Sequence, residues 1–193
     1  VSLTAGNQAI FSALVGFGNN SAAPVSQGGV GLIATGTSNT INLTDTLLAI
    51  LSGGTTSITL TDTGSDGNSF VDLTNTTVMV TGATATGVPL IDVYGTVISQ
   101  AGDPLVSLTN STLNTTLTTN PSALLRVNAG ASLTMNGPLL DATNSTVALS
   151  GAILGMNGGT LTVTGTAAPF INMTGGSLTL ELRGFFLNPG STA

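Results

Sequence analysis

The side chains able to do chemistry are few. Among the eight acidic residues, Asp72, Asp92 and Asp141 stand out; the only basic residues are Arg126 and Arg183, and neither His nor Cys occurs. Asp72 and Asp92 fall at one phase of a recurring unit, which stacks them as a carboxylate column. Polysaccharide-cleaving enzymes place acids or calcium ligands in this way. Such enzymes also need a base, or Arg and Lys to offset developing charge. Arg126 is instead expected to pair with Asp141, one unit further on, in an exposed ion pair worth about 0–1 kcal/mol. Asp62-Thr63-Gly64-Ser65-Asp66-Gly67 has the acidic and glycine residues of a calcium loop but lacks its bidentate Glu, and reads as a turn. Zinc sets and nucleophile triads are unavailable without His and Cys. The chain therefore reads as non-enzymatic, with no catalytic, cofactor or metal residue assigned.

The richest polar set is made of hydroxyls. Thr40, Ser57, Thr77, Thr96, Thr112, Ser132, Thr146, Thr160 and Ser177 each precede an aliphatic residue of the unit. Stacked Ser and Thr suit an exposed strand and bond along a ladder, which is a purely structural role. A flat hydroxyl array could also bind ice or glycan. Two places further on, Asn42, Met79, Ile98, Asn114 and Ala148 interrupt the threonines and weaken that reading.

These residues are positioned by the repeat itself. Pro138 to Gly151, PLLDATNSTVALSG, is its shortest complete copy. The inward aliphatics of the second strand are Ile41, Ile58, Val78, Val97, Leu113, Leu133, Val147, Leu161 and Leu178, about 17 residues apart. Two places beyond them stand Leu43, Leu60, Val80, Ser99, Thr115, Met135, Leu149, Val163 and Leu180; Ser99 and Thr115 break this column and suggest a bulge or local irregularity. Alternation of period two buries one face of a strand. First strands such as Leu90-Ile91-Asp92-Val93 and Leu139-Leu140-Asp141-Ala142 follow prolines, which are tolerated at a strand start. Asn75, Gly95, Asn110, Asn144 and Gly175 mark the corner between the two strands, where left-handed backbone angles are needed.

The pattern predicts an all-β fold: a single-domain parallel β-solenoid of about nine to ten coils, a rod on the order of 43 Å long at 4.8 Å per coil. A sandwich of hairpins is the alternative. Residues 31–182 form the coils. Residues 1–30 do not match the unit and are expected to be a cap or assembly arm followed by a loop from Gly16 to Gly31. Within them, Asn7 to Gly16 reads as a short apolar helix with an Asn cap. Residues 183–193 form a C-terminal cap or assembly segment. Val1, Leu3, Ile10, Phe11, Leu14, Phe185, Phe186 and Leu187 are the candidate assembly contacts, because open strand edges at solenoid ends invite another chain.

Charged residues make up 5% of the 193, and the net charge is −6. With no basic cluster to neutralise phosphates, nucleic acid is not an expected partner. The longest aliphatic run, Leu47 to Leu51, is far too short to span a bilayer. The chain begins at Val1 without Met or a leader pattern, and reads as a processed protein or a piece of a longer one. Sequons at Asn19, Asn42, Asn75, Asn110, Asn114, Asn144 and Asn172 are expected by chance in so Thr-rich a chain.

Units such as PLVSLTNSTLN, PLLDATNSTVALSG and PFINMTGGSLTLEL resemble the degenerate rungs of secreted right-handed β-helix surface proteins, the filamentous-haemagglutinin and autotransporter-passenger groups. The resemblance covers about residues 31–182 and rests on pattern. It implies right-handed coiling, secretion, display at the cell surface, and structural or adhesive work. The expected role is an extracellular structural subunit that self-assembles into a fibre. An adhesin segment binding glycans is the alternative; a polysaccharide-degrading enzyme or an ice-binding protein comes third. The expected partners are further copies of the chain and, in the alternative, glycans or a cell surface.

Overall fold

The stacked aliphatics do form parallel ladders, but they skip a unit. The structure is a computed structural model. It describes residues 69, 71–80, 89–99, 102, 104–115, 123–165, 169–181, 184–188, 190 and 192, together with the strand backbones between residues 2 and 61. Eight strands precede residue 69: β1 (Ser2–Thr4), β2 (Gln8–Phe11), β3 (Val15–Asn19), β4 (Val25–Gly28), β5 (Leu32–Thr35), β6 (Asn39–Leu43), β7 (Leu48–Ser52) and β8 (Ser57–Thr61). The next eight are β9 (Val71–Thr74), β10 (Thr76–Val80), β11 (Ile91–Tyr94), β12 (Thr96–Ser99), β13 (Val106–Thr109), β14 (Thr112–Thr115), β15 (Ala123–Val127) and β16 (Ser132–Met135). The last five are β17 (Leu140–Leu149), β18 (Ala152–Met156), β19 (Thr160–Val163), β20 (Ile171–Leu180) and β21 (Phe185–Leu187).

The fold is all-β, and every pairing between these strands is parallel. That excludes the hairpin sandwich, whose neighbours run antiparallel. Three sheets result. One holds two ladders, β1-β5-β9-β13 and β2-β6-β10-β14, joined because β17 and then β20 run straight through the corner and serve both. The second sheet is β3-β7-β11-β15-β18-β21 and the third is β4-β8-β12-β16-β19. This arrangement is compatible with a β-solenoid.

The register corrects the expected coil. Val78 stacks between Ile41 and Leu113, and Leu113 on Val147, which carries Leu178. Val97 belongs elsewhere, between Ile58 and Leu133 in the third sheet. Two sequence units therefore separate a strand from its partner, and one unit per coil, with nine to ten coils, does not survive. The physical reason is burial: one unit supplies only two short strands, whereas strands of all three sheets contribute to one apolar core.

The buried positions are those the repeat marks. Val71, Leu73, Val78, Val93, Val97, Leu108, Leu113, Leu133 and Val147 are buried, while their strand neighbours Asp72, Thr77 and Thr134 are half-exposed. Full burial of such a side chain contributes about 1.5–3 kcal/mol. The adjacent pairs Leu105-Val106 and Leu139-Leu140 are buried at both members. Consecutive amides explain it: Leu105 and Val106 both donate to the next rung, to the carbonyls of Pro138 and Leu139, each at 2.9 Å. In a flat strand successive amides point opposite ways, so the chain bends after the proline and turns both side chains inward.

Two further expectations are corrected. Of the span expected as a helix, Asn7 to Gly16, the described residues are strand: β2 and the start of β3, paired in register with β6 and β7. Within the expected loop from Gly16 to Gly31 lie the rest of β3 and all of β4, which pairs with β8. Ladder partners outweigh the weak local helix preference there. At Ser99 and Thr115 no bulge forms, but the pairing of β14 with β17 stops at Asn114, a local irregularity of the kind expected there. Ser99 pairs with Leu60 and Met135, and Thr115 with Val80, without a slip. Thr115 is buried, and its hydroxyl accepts the Ser150 amide at 2.9 Å and meets the Ser150 hydroxyl at 3.2 Å. A satisfied hydroxyl keeps the inward position without bending the strand.

Candidate functional site

Among the described residues one pair of opposite charges meets, and it is not the pair expected. Asp92 on β11 stacks directly on Arg126 of β15. Arg126 Nε donates to Asp92 Oδ1 at 3.0 Å and its Nη2 to Asp92 Oδ2. Asn128 Nδ2 donates to Oδ1 at 2.6 Å, and the Tyr94 hydroxyl donates to Oδ2 at 2.9 Å. Four donors thus surround a carboxylate that is only 4% exposed, which is how a buried charge is tolerated. Burial opposes the charge on Arg126, but the hydrogen bond and charge of Asp92 outweigh it and hold the guanidinium above its ordinary value. Burial, with the Asp92 contact behind it, also raises the Tyr94 phenol.

The Asp column and the ion pair expected from the sequence are therefore corrected. Asp72 and Asp92 lie on different sheets, and Asp141 stacks on Ser107 and Asn172 instead of Arg126. Each error has the same origin, the halved period. Burial pushes the Asp72 carboxyl above its ordinary value, with a Ser107 hydrogen bond acting the other way. Asp141 Oδ1 accepts from Asn172 Nδ2 at 3.3 Å. Among the described residues, no three of His, Cys, Asp and Glu gather as a metal set. Asp62 to Gly67, the calcium-like turn, lies outside the described residues.

The corner holds polar groups that sequence reasoning missed. Asn75, Asn110 and Asn144 take left-handed φ angles of 49°, 48° and 49°. The next residue in each copy, Thr76, Ser111 and Ser145, is buried with its hydroxyl in place of a ladder carbonyl. The Thr76 amide donates to Ser111 Oγ and the Ser111 amide to Ser145 Oγ, each at 3.0 Å. Ser145 Oγ donates back to the Thr143 carbonyl at 2.8 Å, and Thr76 Oγ1 to Thr74 at 2.9 Å. Ser111 Oγ reaches the carbonyls of Thr109 and Leu73 and gives its one proton to either. Three Thr-Asn-Ser/Thr triplets, 35 and 34 residues apart, were the signal for this column.

The hydroxyl array divides in two. Thr40, Thr77, Thr112, Thr146 and Ser177 stack on β6, β10, β14, β17 and β20. Ser57, Thr96, Ser132 and Thr160 stack on β8, β12, β16 and β19. Four of the five interrupting residues, Asn42, Met79, Asn114 and Ala148, go with the first column; Ile98 alone goes with the second.

Of the candidate assembly contacts, Phe185 is 54% and Leu187 56% exposed on β21, whereas Leu154 and Met156, on which they stack, are buried. The Phe185 ring lies 6.4 Å from that of Phe170. Phe186 occupies the strand position between them. Leu3 lies on β1, and Ile10 and Phe11 on β2; Val1 and Leu14 lie outside the described residues. No family model, curated protein or solved structure matches this chain.

Proposed function

We propose that the chain is an extracellular, non-enzymatic structural protein: a right-handed β-solenoid of six coils, two sequence units to each, serving as a rod in a surface fibre or filament. One observation carries this reading. Six strands keep an unslipped parallel register along one axis, and on β9, β13 and β17 the inward positions are apolar while Asp72, Ser107, Asp141 and a column of threonines lie outside. Six rungs at 4.8 Å span about 24 Å. Right-handed coiling accords with the strong preference of parallel crossovers.

Extension along the axis has support at the last rung. Leu178, Val163, Phe185 and Leu187 prolong buried columns yet are exposed. Covering them, with a second copy or with more of the same polypeptide, lengthens the rod. Neither β20 nor β21 carries a charge or a proline, the devices by which exposed edges avoid pairing. In a fibre of copies, Leu3, Ile10 and Phe11 stand on the opposite edge. Sedimentation velocity with negative-stain microscopy tests this. Concentration-dependent rods one coil wide are expected, and a monomer at the highest soluble concentration contradicts self-assembly.

A second reading, an adhesin segment touching glycans, draws on Tyr94, 41% exposed beside the Arg126 and Asn128 side chains. An aromatic face next to polar donors suits a sugar ring. Glycan-array binding that disappears in Tyr94→Ala would favour it.

A further inference from the structure

We propose that the outer face of the sheet β4-β8-β12-β16-β19 is an ice-binding plane, a function independent of the fibre reading. On β16 and β19 its outward positions are hydroxyls, in two columns whose register β12 continues. One holds Thr96, Ser132 and Thr160; the other, two residues along each strand, holds Thr134 and Thr162, with Ile98 at the β12 position. The register places Ser57 and Thr59 of β8 at the next rung of the same two columns. Between the columns Leu133 and Leu161 point inward and are buried, so the hydroxyl-bearing side chains stand on one side of a continuous sheet.

Three features separate this face from ordinary Thr-rich surface. First, its regularity emerges only in the fold. Asn42, Met79, Asn114 and Ala148, which spoil the array in sequence, all belong to another ladder. Second, four of its hydroxyls are unspent. Thr76, Ser111, Ser145, Thr115 and Ser150 use theirs on main-chain groups or on each other, but no hydrogen bond among the described residues engages the Ser132, Thr134, Thr160 or Thr162 hydroxyl. Third, none of the five strands contains an ionisable side chain. An exposed sheet face is normally kept soluble by Lys and Glu, whose mobile, strongly hydrated heads disrupt ordered water.

The ligand follows from the lattice. Rungs repeat at about 4.8 Å along the axis, and alternate residues of a strand lie about 6.6 Å apart along the other direction. That rectangular net of hydroxyls and methyls repeats on the same few-ångström scale as the oxygen lattice of hexagonal ice. Each hydroxyl can replace one lattice water as donor and acceptor, while the threonine methyls sit in the gaps. β-Branched side chains lose little freedom on binding, because χ1 is already restricted. The corner with Thr74, Asn75 and Thr77 offers hydroxyls too, but its left-handed turn makes it convex, and a convex ridge cannot lie against a crystal face.

Thermal hysteresis, crystal shaping and partition into a growing ice hemisphere, all on the full chain, test the proposal. Faceted crystals, a measurable freezing gap and enrichment in ice are expected. Thr134→Lys and Thr162→Lys, both outward substitutions, should remove at least nine-tenths of the hysteresis with far-UV CD and melting unchanged. Thr112→Lys, outward on the other ladder, should leave it intact. Absence of a gap and of shaping in the parent chain overturns the proposal, as does equal loss in Thr112→Lys. Retention on crystalline chitin or cellulose without any effect on ice would also overturn it, assigning the face to a solid glycan.

Discussion

At the scale of single residues, the groups that matter most are buried and polar. Ser111 is the middle of the corner column, and its hydroxyl accepts the buried Thr76 amide. Ser111→Ala leaves that amide without its partner, so urea unfolding should show a loss of about 1–3 kcal/mol; an unchanged midpoint would remove the column from the account. Asp72 works in the opposite sense. Its folded-state carboxyl titrates above the ordinary value of 3.8 because burial disfavours the charge. The folded state therefore holds its proton longer than the unfolded one, and stability falls as pH rises from 3.8 through the raised value. Asp72→Asn should melt higher than the parent at neutral pH, and the two curves should converge below that window. A variant that melts lower at neutral pH contradicts the assignment. Neither effect was legible from sequence, since Asp72 and Ser111 look like surface polar residues until the register is known.

At the scale of elements, the strands were legible and their partners were not. Alternation marked the inward aliphatics of β10, β14, β16 and β17 correctly because burial of one face imposes period two on any ladder. Both halves of a coil carry that same alternation at the same phase, so an interval of 17 residues could not be told from one of 34. One trace of the longer period did exist. Up to residue 158 the corners with positive φ run Asn75, Gly95, Asn110, Gly130, Asn144, Gly158, with amide and glycine alternating, before Gly175 and Gly176 break the pattern. Asn-containing corners end in a buried Ser or Thr, which the glycine corners do not share. The Asn corner gives a substitution test. Asn144 sits at φ 49°, so Asn144→Ala should cost about 1–2 kcal/mol in unfolding free energy, and Asn144→Gly little. Equal losses in both would mean that the Asn side chain, not the backbone angle, holds the corner. At the β1–β4 end the reading failed for another reason. Gly- and Ala-rich strands such as Val15–Asn19 have weak alternation, and only their ladder partners reveal them.

At the scale of the whole molecule, the halved period also misplaced every cross-rung pair. Arg126 was paired with Asp141 and meets Asp92; Asp72 was stacked on Asp92 and stacks on Ser107. The same correction drew the hydroxyls of β12, β16 and β19 together on one face, which the shorter period had scattered. Rod, fibre and face all depend on alternate units lying directly above one another. Because the chain has no cysteine, spin labels can be placed without background. Continuous-wave EPR on Thr112→Cys/Thr146→Cys should show the strong dipolar broadening of nitroxides on adjacent rungs, and Thr112→Cys/Ser132→Cys, one unit apart, should show none. Broadening in the second pair and sharp lines in the first would contradict the account.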